Sequence, residues 1–318
     1  MDGIFFPGFG IDFSKVPTGF TVFGMEIKFY GVIISLGFIL ALLIASSEAK
    51  KSGCNEEDYF DYLLCMIIPV ILGARLYYIL FNLKEYTGLG GFGESLKAMV
   101  NIRNGGLGIY GGLITGVLVS VIFTKKKKLY LPLFADHIAM GVLVGQILGR
   151  WGNFFNREAF GAYTSSFLRM AIPVDYFKSN GSFAYFVATN VITPDMLANT
   201  EVVNGLECIT VMPTFLIEGF FNLLILLFIF FYRKKKKYDG ELALTYVLGY
   251  GIGRLIVEAF RTDSLMIGPL KISQVVAVLC IVAAGYGMFH NLRNIKLKKA
   301  VSCHRVGENT QKKAETEE

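Results

Sequence analysis

The residues of this chain with the clearest chemical potential fall in two short stretches. One, GRWGNFFNREAFG, carries Arg150, Asn153, Asn156, Arg157 and Glu158; the other, YGIGRLIVEAFR, carries Tyr250, Arg254, Glu258 and Arg261. Spacings of four, four and three put the last four residues on one stripe of a helix. Both stretches end apolar runs, and a charge near the middle of a membrane costs roughly 2.5–3.5 kcal/mol. Residues kept at that cost are candidates for use. Arginine binds phosphate through paired, charge-assisted hydrogen bonds, so the chemistry these groups suggest is recognition of a phosphate at lipid-headgroup depth.

The elements that must position them follow from composition. The 318 residues are 53% hydrophobic and 18% charged, against about 25% charged in ordinary soluble domains. That points to an integral membrane protein. The net charge of +6 sits in short clusters directly after apolar runs, which argues against a nucleic-acid partner. Five scattered cysteines form no CxxC pair, and the three histidines form no local metal motif.

Apolar periodicity predicts an all-α integral membrane protein with about seven transmembrane helices, near 29–49, 59–81, 107–123, 133–154, 214–232, 242–260 and 272–289. Basic clusters close the first, third, fifth and seventh spans. Lysine and arginine bias therefore expects the N-terminus outside and the C-terminus in the cytoplasm. Residues 1–28 are expected along the membrane surface and 82–104 as a polar connection. Residues 1–292 are expected to form the transmembrane domain, with 155–211 a small extracytoplasmic head and 293–318 a disordered basic and polar tail. Gly141, Gly145, Gly149 and Gly152 line one face of the fourth span, which permits close helix approach.

On this topology the even-numbered spans all run outward. Arg75, late in the second span, thus joins Arg150, Asn153, Arg254, Glu258 and Arg261 at one depth. Tyr30 and the glycine-rich GGLGIYGG around Tyr110 arrive at the same level. Such glycines permit either a tight backbone beside a ligand or simple packing of a loop on helices. More arginines than carboxylates suggest an outer-leaflet phospholipid site. These residues alone do not separate an enzyme from a non-catalytic phospholipid-binding or lipid-transport protein.

The motif G-R-x-G-N-F-x-N-x-E-x-x-G is supplied by Gly149, Arg150, Gly152, Asn153, Phe154, Asn156, Glu158 and Gly161. It resembles the signature of the bacterial prolipoprotein diacylglyceryl transferases. The resemblance continues in FYGVIISLGF, GARLYYILF, GGLGIYGGLITG, PTFLIE and YGIGRLIVEAFRTDSL, in order along the chain. It implies transfer of the diacylglyceryl group of phosphatidylglycerol to the lipobox cysteine of preprolipoprotein signal peptides. A thioether forms and glycerol phosphate is released, at a bacterial cell (cytoplasmic) membrane, with no metal or nucleotide cofactor. On this reading Arg150 and Arg254 hold the phosphate and assist its departure. Asn153 and Asn156 bind headgroup oxygens, and Glu158 and Glu258 orient the arginines. Tyr30, Tyr250, Gly161, Arg261 and Arg75 complete the substrate site.

Three positions depart from the family pattern. Tyr110 stands where many members have a histidine suited to general-base work, and a phenol is a poor base near neutrality. Tyr110, Glu158 and water remain as candidates to take the thiol proton. Arg157 replaces a common glycine, and Ile217 stands where tyrosine is usual.

Overall fold

The computed structural model describes residues 2–87, 91–102, 105–262, 264, 266–297, 299 and 301–305. The chain opens with β1 (Ile4–Phe6), β2 (Ile11–Phe13) and a hairpin of β3 (Gly19–Val22) and β4 (Met25–Lys28). The first long helix is α1 (Phe29–Lys51), followed by α2 (Glu57–Phe81) and two short helices, α3 (Leu83–Tyr86) and α4 (Phe92–Val100). Next come α5 (Ile109–Lys127) and α6 (Leu131–Asn156). A head segment then supplies β5 (Met170–Pro173), α7 (Val174–Ser179), α8 (Phe183–Ala188), α9 (Pro194–Ala198), β6 (Glu201–Val203) and β7 (Leu206–Val211). The chain returns through α10 (Thr214–Tyr232), α11 (Glu241–Phe260), the short strands β8 (Met266–Ile267) and β9 (Leu270–Lys271), and α12 (Ile272–Lys296).

Seven helices among the described residues are long and apolar enough to cross a membrane: α1, α2, α5, α6, α10, α11 and α12. They match the seven expected spans, most of them running a few residues longer at one or both ends. Helix α6 is the most deeply buried of the seven and packs against α1, α10 and α11. A Cβ added at Gly141 would come within 2.6 Å of the Ala41 carbonyl oxygen, so glycine is what lets α1 and α6 close together. Helices α2 and α5 form a second tight pair.

The all-α expectation holds for the spans but not for the head. There a five-stranded antiparallel sheet runs in the order β2-β1-β5-β7-β6, pairing Phe5 with Ala171 and Ile172 with Ile209. The N-terminal residues therefore do not lie along the membrane surface alone, because β1 and β2 complete this sheet. Three-residue strands with a fully apolar face cannot stand by themselves. Strand β1 gains stability by packing Ile4 and Phe6 in one core with Met170, Ile172, Ile209, Val211 and Phe215, and the exposed β2 pairs along its outer edge.

The tail also differs from expectation. Helix α12 continues to Lys296, and residues 302–305 dock against the turn between α10 and α11. Residues 306–318 of the expected disordered tail lie outside the described residues.

Candidate functional site

The site forms where the head meets the ends of α1, α6, α10 and α11. Helix α6 stops because Arg157 adopts a left-handed φ of 51°, and the Glu158 N–H donates back to the Asn153 carbonyl at 3.1 Å. This turn folds Glu158 over the helix end. Its Oε1 accepts hydrogen bonds from Asn153 Nδ2 and Asn156 Nδ2, both at 3.1 Å. The asparagines thus hold a carboxylate, and the arginines that Glu158 was expected to orient find another.

That other carboxylate is Glu218, one turn into α10 and only 1% exposed. Arg150 Nη2 donates to its Oε1, and Arg254 Nη1 donates to its Oε2 at 2.9 Å. The guanidinium of Arg261 stands 4.0 Å from Oε2, and Tyr250 Oη donates to Oε1 at 3.4 Å. A single buried carboxylate costs several kcal/mol in desolvation, which only close, well-aligned cations offset. Glu258, in the last turn of α11, pairs with Arg254 at 2.7 Å across an i,i+4 spacing. Lys271 caps that helix end, donating to the carbonyls of Glu258 at 2.7 Å and Arg261 at 2.9 Å.

Arg150, Asn153, Glu158, Arg261 and Tyr30 line one end of a trough of about 650 Å³. The trough continues between α1, α2 and α6 past Ile34, Phe38, Leu63 and Met66 to Tyr59 and Tyr62. Its walls are mostly hydrocarbon and its head end is charged, which is the polarity of a lipid. The Tyr30 ring lies on Gly152, where an added Cβ would sit 2.6 Å from it. The side chain of Arg150 is 20% exposed and keeps an open face toward this space.

Arg254 and Tyr250 bind Glu218 from behind and do not appear on the trough wall. Gly161 is backbone scaffold: its N–H donates to Met212 O at 2.8 Å, it bridges to Arg261, and a Cβ would meet the Phe260 carbonyl at 2.7 Å. Tyr110 shares a hydrogen bond with Ser273 at the start of α12, at 3.0 Å.

Arg75 does not join the other arginines. It donates to the backbone carbonyls of Ala98, Met99, Asn101, Gly105 and Gly106 at 2.8–3.0 Å, and so folds the connection from α4 to α5. The expected surplus of arginine therefore disappears. Among the described residues, Arg150, Arg254 and Arg261 are matched by Glu158, Glu218 and Glu258. Glu218 was the residue missed as a site member; its only sequence signal was its place in PTFLIE.

Fold and site together define a multi-pass membrane protein whose clustered arginines head an apolar trough, an arrangement suited to an anionic lipid. Residues 17–290 match the family described as prolipoprotein diacylglyceryl transferase. The phosphatidylglycerol–prolipoprotein diacylglyceryl transferase of Clostridioides difficile is 36% identical over 263 residues, covering 83% of this chain and 90% of that one. The protein of the same name from Listeria welshimeri is 36% identical over 84% of this chain and 86% of its own length. That from Finegoldia magna is 35% identical over 83% and 91%. The chain belongs to the prolipoprotein diacylglyceryl transferase family and is a multi-pass bacterial membrane protein.

Proposed function

We propose that this protein transfers the diacylglyceryl group of phosphatidylglycerol to the cysteine thiol of a prolipoprotein signal peptide. The observation that carries the reading is the gathering of Arg150, Arg254 and Arg261 on one buried carboxylate, Glu218, at the head of a lipid-shaped trough. The acyl chains occupy the apolar length of the trough and the phosphate meets Arg150 and Arg261.

The thiol gives its proton to Glu158. Its sulfur attacks the glyceryl carbon bonded to the phosphate oxygen, and a carbon–sulfur bond forms. The carbon–oxygen bond breaks, its electron pair stays on the phosphate, and glycerol phosphate leaves. Charge balance fits this order of events. Protonation of Glu158 removes a carboxylate charge from the pocket, so its field becomes more positive as negative charge builds on the leaving group. Glu158 is favoured as base because it lines the trough beside Arg150, while the Tyr110 hydroxyl is engaged with Ser273.

Basic groups close the helices at the end away from the head: Lys50 and Lys51, Lys125 to Lys127, Arg233 to Lys235, and Arg293 with Lys296. This supports a cytoplasmic-membrane location with the head outside. The test supplies purified protein with phosphatidylglycerol and a lipobox peptide and looks for the thioether by mass spectrometry. Folded protein that binds the lipid yet yields no thioether would leave a non-catalytic lipid binder in its place.

A further inference from the structure

Glu158 lines two cavities. Beside the apolar trough stands a second chamber of about 380 Å³ whose walls come largely from the head: Ser179 ends α7, Asn180 and Ser182 precede α8, and Asn156 ends α6. It is far more polar than the trough, because side chains with hydroxyl or amide groups make up most of its wall. Such groups both donate and accept hydrogen bonds, which matches the alternating N–H and C=O groups of a peptide backbone. The charged groups on its wall are Asp2, Glu158 and Lys28, and Lys28 is already paired with Glu26. Two carboxylates against one ammonium disfavour a phosphate here.

The chamber's wall is assembled by Arg157, which is fully buried. It donates to the carbonyls of Asp2, Val16 and Phe155, the latter two at 2.6 and 3.0 Å, and lies 4.0 Å over the ring of Tyr176, itself a wall residue. One guanidinium thereby ties the N-terminal segment, the end of α6 and α7 around a single space.

We propose that this chamber is the acceptor-peptide site: it binds the polar backbone that follows the reactive cysteine, and the thiol reaches the lipid across Glu158. The inference rests on the transferase reading above. It assigns the lipid and the peptide to opposite sides of one carboxylate, which places that carboxylate where a thiol proton must go.

The test uses the full chain in phosphatidylglycerol–phosphatidylcholine nanodiscs with two lipobox peptides, one ending at the cysteine and one continuing for several polar residues. Ser179→Trp and Ser182→Trp, at half-buried or exposed positions, fill the chamber. We expect KM for the longer peptide to rise about tenfold or more, with KM for phosphatidylglycerol and for the short peptide within about twofold. An unchanged KM for the longer peptide in both variants overturns the proposal. So does a change confined to inhibition by glycerol phosphate, which would make the chamber the leaving group's exit. Fluorescence anisotropy of the longer peptide on the same samples reads the chamber separately from turnover. Weakened binding in the variants supports it even if no thioether forms in the parent protein, and equal binding overturns it.

Discussion

Arg254 on α11 donates to Glu218 on α10 at 2.9 Å, and through the second oxygen of that carboxylate it is joined to Arg150 on α6. Three helices are thus locked around one buried anion. Glu218→Gln removes the charge while keeping the shape, so Arg150 loses its carboxylate partner in a poorly hydrated site while Arg254 keeps Glu258. We expect a loss of about 3–5 kcal/mol in stability, visible as a lower melting temperature in detergent. Thioether formation should fall about a hundredfold or more. A variant as stable and active as the parent would show that the arginines organise themselves.

Arg150→Lys keeps the positive charge but loses the planar fork. If Arg150 meets the phosphate as its charge grows, kcat should drop by about 10²–10³. Melting temperature and insertion should change little, since Glu218 retains Arg254. A change in lipid KM alone, with kcat kept, would place Arg150 in ground-state binding only.

The base is tested by a pair of variants. Glu158→Gln preserves the hydrogen-bonding shape beside Asn153 and Asn156 but cannot take a proton in the same way, and should lower kcat by about 10²–10⁴. Tyr110→Phe, which breaks only the link to Ser273, should stay within about threefold of the parent. The opposite ranking would return the base to Tyr110.

Arg75 behaves as a folding residue. Its five carbonyl acceptors span residues 98–106, and Arg75→Ala leaves several of them without a donor in a half-buried loop. A stability loss on the order of 3 kcal/mol or more is expected, with lipid KM in the surviving protein nearly unchanged. Thermal melting and lipid titration distinguish this from a direct role in binding phosphate.

Asp239 fixes the C-terminal segment. Burial raises its pKa, but hydrogen bonds from the His304 amide at 2.8 Å, the His304 ring, Lys236 at 2.9 Å and Ser302 at 2.7 Å outweigh burial and hold it down, from 3.8 to about 2. Lys236 also binds Asp136, so these groups form one network. A depressed folded pKa means the stabilisation is complete above about pH 4 and is lost as pH falls toward 2, roughly 2 kcal/mol in all. Protection of the His304 amide from hydrogen exchange, relative to its intrinsic rate at each pH, should therefore fall between pH 4 and pH 2. Constant protection down to pH 2 would show that the docking rests on other contacts.

The spans were legible because about 20 consecutive apolar residues have few alternatives to crossing a membrane as a helix. The family motif likewise marked Arg150, Asn153 and Asn156 as neighbours, since residues three apart share a helix face, whereas Glu158 joins them through the turn at Arg157. The head was less legible. Phe5 meets Ala171 across a long stretch of chain, and a three-residue strand carries too little pattern to announce a partner so far away.

What the sequence determined by itself was the helical frame, the family and the pair Arg254–Glu258, because hydrophobic length and i,i+4 geometry act within a single segment. Only the tertiary structure decided which arginines share an anion. Arg75 and Arg150 both occur late in an apolar run, yet one faces backbone carbonyls and the other Glu218. That difference arises from which helices pack together and at what rotation, and electrostatic pairing over a few ångströms is settled by that packing.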